Sequence, residues 1–174
     1  MSITTVGIVG AGTMGNGIAQ ACAVSGVNVV MVDIAQAAVD KGMATIEKSL
    51  DRLLQKEKIT EADKAAALGR IKGSTSYDAL QGAQMVIEAA TENHDLKNKI
   101  LKQLDDLLEP EVIIATNTSS ISITQLAAVT KRADKFVGMH FFNPVPLMAL
   151  VEIIRGLQTS DDTHDTVKDL AVRL

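Results

Sequence analysis

The chain has 174 residues, 47% hydrophobic and 22% charged, a balance that suits one globular domain with a single core and excludes a disordered or fibrous protein. A formal charge of −4 and a pI near 5.3 provide no general basic field for nucleic acid or an acidic membrane, so an anionic ligand has to be held locally. Tryptophan is absent and aromatics are only 2%, which leaves the core to Val, Ile, Leu, Ala and Met and favours a parallel α/β sheet.

Taken in chain order, Ile3 to Val9 is β-rich and ends in glycines, Met14 to Ser25 is Ala-rich and helical, and Val27 to Val32 is a buried-type strand. This is a βαβ unit. Cys22, the lone cysteine, falls in the apolar helix as a small buried hydrophobe; one cysteine allows no internal disulfide, which points to a reducing compartment. The opening MSITTVGIVGAG has no basic region or cleavable signal and no apolar run reaches spanning length, so the expected location is cytoplasmic, with no membrane partner.

Two charged amphipathic helices are expected next, about Ala38 to Lys56 and Glu61 to Arg70, the second opened by a Thr60–Asp63 capping box. Such a hairpin exceeds a simple crossover and reads as an insertion, about residues 35–73, projecting from the sheet. Met85 to Ala89 is read as a third strand, Asp95 to Leu108 as a helix closed by Pro110, Val112 to Ala115 as a fourth strand and Ile123 to Val129 as a short helix. Phe136 to His140 and Leu150 to Arg155 follow as fifth and sixth strands, joined through an Asn-Pro-Val-Pro reversal too short for a crossover helix. Ser160 caps a last helix that starts at Asp161 and still runs at Leu174, which suggests a chain cut before a further element.

Chemistry concentrates at strand ends. Gly10, Gly12 and Gly15, in GAGTMG with Thr13 and Met14, sit between a strand and a helix, the context of a dinucleotide fingerprint. The first glycine permits the turn, the second the approach of a pyrophosphate, and the third close helix packing. Asp33 ends the second strand 18 residues after Gly15, where a carboxylate accepts both adenosine ribose hydroxyls and repels a 2′-phosphate, favouring NAD. His140 closes the fifth strand and Glu152 lies on the sixth; across a reversal they can face each other as base and partner, although a core histidine bonded to backbone would leave the same pattern. The tract ATNTSSIS, with Glu92 and Asn93 beside it, occupies the carboxyl edge of the sheet, where its polar groups either serve a ligand or merely cap helices. His94 and His164 read as solvent-facing, and no metal is assigned.

Together GAGTMGNGIAQ, VIEAATEN, ATNTSSISIT and GMHFFNPVPLMALVEIIRG resemble the 3-hydroxyacyl-CoA dehydrogenase family, in particular its bacterial 3-hydroxybutyryl-CoA branch, over essentially the whole chain. The HFFNP tract with its following VE is the specific element. The resemblance implies a Rossmann-type, doubly wound, mainly parallel sheet with a helical hairpin, followed in the family by a helical dimerisation domain that is missing here. It implies oxidation of an (S)-3-hydroxyacyl-CoA to the 3-oxoacyl-CoA with NAD in a homodimer or larger homo-oligomer. It makes His140 the base and Glu152 its partner, with Ser119 and Asn143 at the reacting oxygen. Asn117 and Glu92 fall near the nicotinamide and its ribose, Lys97 near the adenosine portion of the cofactor or CoA, and Ser49 and Lys56 on the CoA moiety. Two rival readings are a same-family dehydrogenase of a free sugar acid and a non-catalytic NAD-binding protein.

Overall fold

In the computed structural model, which describes residues 2–174, seven strands form one sheet in the order β3-β2-β1-β4-β5-β6-β7. β1 (Thr5–Val9), β2 (Asn28–Val32), β3 (Ile71–Ser74), β4 (Met85–Glu88), β5 (Ile113–Thr116) and β6 (Phe136–Phe141) run parallel, and β7 (Val151–Arg155) alone is antiparallel, against β6. Strand order reverses between β1 and β4, the position at which doubly wound sheets open a crevice at the strand carboxyl ends.

The parallel strands read as unbroken apolar runs because both faces are covered. One layer contains α1 (Thr13–Val24), α2 (Gln36–Gln55), α3 (Glu61–Gly69) and α6 (Asp161–Arg173), and it buries Ile18, Cys22, Ile46, Leu50, Val167 and Leu170 against the sheet. The other contains α4 (His94–Leu107) and α5 (Ile123–Ala127), with Leu101, Leu104 and Leu126 inward. Each such aliphatic side chain contributes about 1.5–3 kcal/mol by leaving water, which is how a core with few aromatics holds together.

One expectation needs correction. The sheet has one strand more than the six expected: α3 leads straight into β3 (Ile71–Ser74), which pairs parallel to β2 as the edge. α2 and α3 together are therefore the crossover between adjacent parallel strands. The sequence IKGS conceals this strand because it is four residues long, carries a lysine and a glycine, and buries fully only Ile71. The capping box is as expected: Thr60 Oγ1 accepts from the Asp63 amide at 3.1 Å, and Asp63 Oδ2 accepts from the Thr60 amide at 3.0 Å.

Cys22 is fully buried, and burial pushes its thiol up to about 12, with Arg173 pulling slightly the other way. The thiol is protonated at neutral pH and inert. The contribution of this raised value is fully present below the ordinary value of 9.0 and is lost as pH rises through about 12. At pH 8 the native protein is expected to resist a thiol-disulfide reagent such as Ellman's, and the same protein in guanidinium to react with one equivalent. Rapid reaction of the native protein would show that α1 does not pack as described.

Candidate active site

The glycine turn joins β1 to α1 at the crevice. Gly10 adopts φ +109°, and a Cβ on it would lie 2.7 Å from the Ala89 oxygen. A Cβ on Gly15 would fall 1.8 Å from the Gly10 oxygen, so the helix can start this close to the strand only without a side chain. Gly12 differs: a Cβ there would meet nothing within 4 Å. It is the N-cap of α1 and offers no side-chain cap, which leaves the amides of Thr13, Met14 and Gly15 at the positive helix end for an anion.

Asp33 belongs to the same unit. Its Oδ2 accepts from the Ala11 amide at 3.0 Å, and its Oδ1 is 3.4 Å from the Ala35 amide. The carboxylate thus holds the turn while remaining partly exposed. An open cradle at Gly12, a free helix end and an acid at the end of β2 fit NAD, which supplies a hydride acceptor when bound.

Farther along the same edge, β6 and β7 pair with His140 directly opposite Glu152. Cross-strand partners share a face, and His140 Nδ1 lies 3.1 Å from Glu152 Oε1. The histidine side chain is 18% exposed and the glutamate 54%, so the ring is sheltered while its partner stays wet. Phe142 packs a tilted ring against the imidazole at a centroid distance of 4.5 Å. With Nδ1–H donating to the carboxylate, Nε2 is left as the acceptor.

The β4 and β5 loops meet between these two centres. Thr118 and Ser120 hydroxyls donate to Glu92 Oε2 at 2.9 and 3.1 Å, leaving Ser119 exposed between them. Asn117 is buried; its Oδ1 accepts from the Phe141 amide at 2.9 Å and so holds the end of β6 next to His140. Two neighbours are caps alone, Asn93 for α4 and Ser122 for α5. His94 is exposed, and His164 lies 3.2 Å from Asp165 on α6, away from this edge.

The Lys97 side chain is 0% exposed and its ammonium pairs with Glu88, also 0% exposed. Ser49 and Lys56 do share a groove, with a volume of about 350 Å³, between α1, α2 and the loop after β6. Thr13, Asn143 and Arg52 line it too. Arg52 escaped the sequence reading, although Ser49, Arg52 and Lys56 are spaced for one helix face. The Asn143–Pro144 peptide in that loop is cis.

A sheet edge built this way defines the class of dinucleotide-binding domains that serve dehydrogenases. Residues 5–174 match the family described as 3-hydroxyacyl-CoA dehydrogenase, NAD binding domain, and the chain belongs to that family. It is 47% identical over 172 residues to a 3-hydroxybutyryl-CoA dehydrogenase of Bradyrhizobium diazoefficiens, covering 99% of this chain and 59% of that protein. The crystal structure of (S)-3-hydroxybutyryl-CoA dehydrogenase from Ralstonia eutropha matches with TM-score 0.98 and 74% identity over 99% of this chain and 61% of that one. A more distant structure, an NAD+-dependent 5-dehydrogenase of a pyridine carboxylic acid, matches with TM-score 0.88 and 32% identity over 98% of this chain and 55% of that one. The chain spans less than two thirds of the length of these relatives. No helix among the described residues is long and apolar enough to cross a membrane.

Proposed function

We propose that this chain supplies the cofactor-binding and proton-transfer part of an oxidoreductase that interconverts (S)-3-hydroxybutyryl-CoA, or a related 3-hydroxyacyl-CoA, with the 3-oxoacyl-CoA, using NAD. The observation that carries the reading is the His140–Glu152 contact at 3.1 Å on the sheet edge that also bears the glycine turn. In the oxidative direction, Nε2 of His140 takes the hydroxyl proton as hydride leaves C3, and in the reductive direction it returns that proton. Glu152 holds the ring through Nδ1 and stabilises the imidazolium. Ser119 and Asn143, both exposed toward the edge, serve the reacting oxygen; Asn117 and Glu92 order the loops beside it. A homodimeric assembly and a cytoplasmic location belong to the same reading.

For the acyl carrier, the groove holding Ser49, Arg52 and Lys56 supports a phosphate-bearing tail such as that of CoA. The pyridine-acid dehydrogenase favours a second reading, a free acid as substrate, which has no use for these cations. Lys56→Ala in the complete protein is expected to raise KM for acetoacetyl-CoA about fivefold with kcat nearly unchanged, since a charge-assisted contact contributes about 1 kcal/mol or more. Free CoA is expected to compete. An unchanged KM at both low and high salt, with no inhibition by CoA, would replace the acyl-CoA by the free acid.

A further inference from the structure

The motif GAGTMGNGIAQ contains a glycine that the cofactor turn does not use. Gly17 lies inside α1, two residues past Gly15, and is buried. A glycine within a helix is destabilising relative to alanine, so its place there calls for a neighbour that leaves no room for a side chain. That neighbour is the loop between β6 and β7. A Cβ on Gly17 would lie 2.9 Å from Val145 Cβ, 3.2 Å from its Cγ2 and 3.6 Å from Pro146 Cδ.

Val145 is the anchor of this loop. Among residues 142–150 it alone is buried, at 6% exposure, while Asn143 and Pro144 before it and Pro146, Leu147 and Met148 after it are exposed. The Leu147 and Met148 amides donate to the Pro144 carbonyl at 3.0 and 3.1 Å, which winds the loop into a turn around that anchor. The seat of Val145 on Gly17 therefore fixes where the turn stands on α1, and Asn143, two residues earlier, follows it. The same loop walls the groove of Ser49 and Lys56, which Gly17 also lines.

The contact is stiff on both sides. α1 has no room to retreat, because Gly15 abuts the Gly10 carbonyl and Ile18, Ala19 and Cys22 are fully buried. Val145 has no way to turn aside, since a change of χ1 moves its γ-methyls and leaves Cβ in place. Carbons in contact sit about 3.5–4.0 Å apart, so a methyl on Gly17 would push the loop backbone outward by about half an ångström or more.

We propose that Gly17 and Val145 are positioning residues, which set the height of the β6–β7 loop over α1 and with it the placement of Asn143 and the width of the groove. This rests on the dehydrogenase reading above. Both residues act through the loop backbone.

The test is Gly17→Ala in the complete protein, assayed with acetoacetyl-CoA and NADH, alongside NADH titration and thermal midpoint. Misplacing a reacting group by about an ångström costs up to roughly 100-fold, so kcat/KM for acetoacetyl-CoA is expected to fall about 10-fold or more. NADH affinity is expected to stay close to wild type, because the glycine turn ends before Gly17. The midpoint is expected to hold as well, the better helix propensity of alanine offsetting the disturbed loop contact. Val145→Gly removes the Cβ that the new methyl meets. Alone it is expected to lower kcat/KM by freeing the loop; in the Gly17→Ala background it is expected to raise kcat/KM severalfold. Should Gly17→Ala not fold, Val145→Ala removes only the two γ-methyls, and its kcat/KM is expected to drop severalfold at constant NADH affinity. Wild-type kcat/KM in a folded Gly17→Ala protein overturns the inference. So does a loss of kcat/KM, NADH affinity and midpoint in step, or an equal effect of Val145→Gly in both backgrounds. A wild type inactive on acetoacetyl-CoA sinks the functional reading and this inference with it, whereas an active wild type with unaffected variants sinks this inference alone.

Discussion

Replacing His140 by glutamine in the complete protein is expected to slow acetoacetyl-CoA reduction by about 10² to 10⁴, the usual worth of a positioned general acid or base. Glutamine approximates the volume and can still donate toward Glu152, but it cannot exchange a proton with the substrate oxygen. NADH binding is expected to be little changed, since the glycine turn and Asp33 lie on β1 and β2, separated from β6 by β4 and β5. Glu152→Gln loses the charge that stabilises the imidazolium while keeping an acceptor 3.1 Å from Nδ1, so its effect is expected to be smaller. The double variant is expected to be far less impaired than the product of the single effects, because both residues act on one step. Near-wild-type kcat for a folded His140→Gln protein would remove the proposed chemistry. Multiplicative single effects would keep His140 and deny Glu152 its role.

The second large effect concerns the choice of cofactor. The protein is expected to bind NADPH at least about 100-fold more weakly than NADH, because setting a 2′-phosphate against the Asp33 carboxylate juxtaposes like charges at a cost of several kcal/mol. Asp33 also holds the Ala11 amide, so Asp33→Ala disturbs the glycine turn as well as the ribose site. Asp33→Asn separates the two roles: its side-chain oxygen can still accept from Ala11, while the charge is gone. Titration by nucleotide fluorescence is expected to give the asparagine variant a markedly smaller preference for NADH with most of its NADH affinity intact, and the alanine variant weaker binding of both. Equal affinities of the wild-type protein for the two nucleotides would take Asp33 out of cofactor selection.

The parts of this protein that could be read from its residues are those whose causes are local. GAGTMG specifies a turn and a helix start within a few residues. Thr60 and Asp63 cap each other, and the reversal between β6 and β7 follows from a connection too short to hold a crossover helix. His140 and Glu152 were legible as a possible pair for the same reason: the alternation of strand side chains makes a facing pair a matter of register. The HFFNP tract then supplied, by resemblance alone, the roles that no spacing could assign.

Where long-range packing decided, the residues were silent. β3 becomes a strand because β2 offers an unpaired edge to Ile71–Ser74, not because IKGS prefers to be extended. Lys97 lies in the first turn of an amphipathic helix, in a run of charged neighbours; only the docking of α4 over β4 and β5 turns its ammonium inward onto Glu88 and Thr116. Glu88 itself gave a faint signal, an acid closing an otherwise apolar strand, but nothing nearby in sequence names a partner 9 residues ahead on another element. Turns, caps and strand periods are dictated by the backbone geometry of adjacent residues. The environment of a buried charge is made by elements that meet only once the sheet has closed over them, and that step belongs to the tertiary structure.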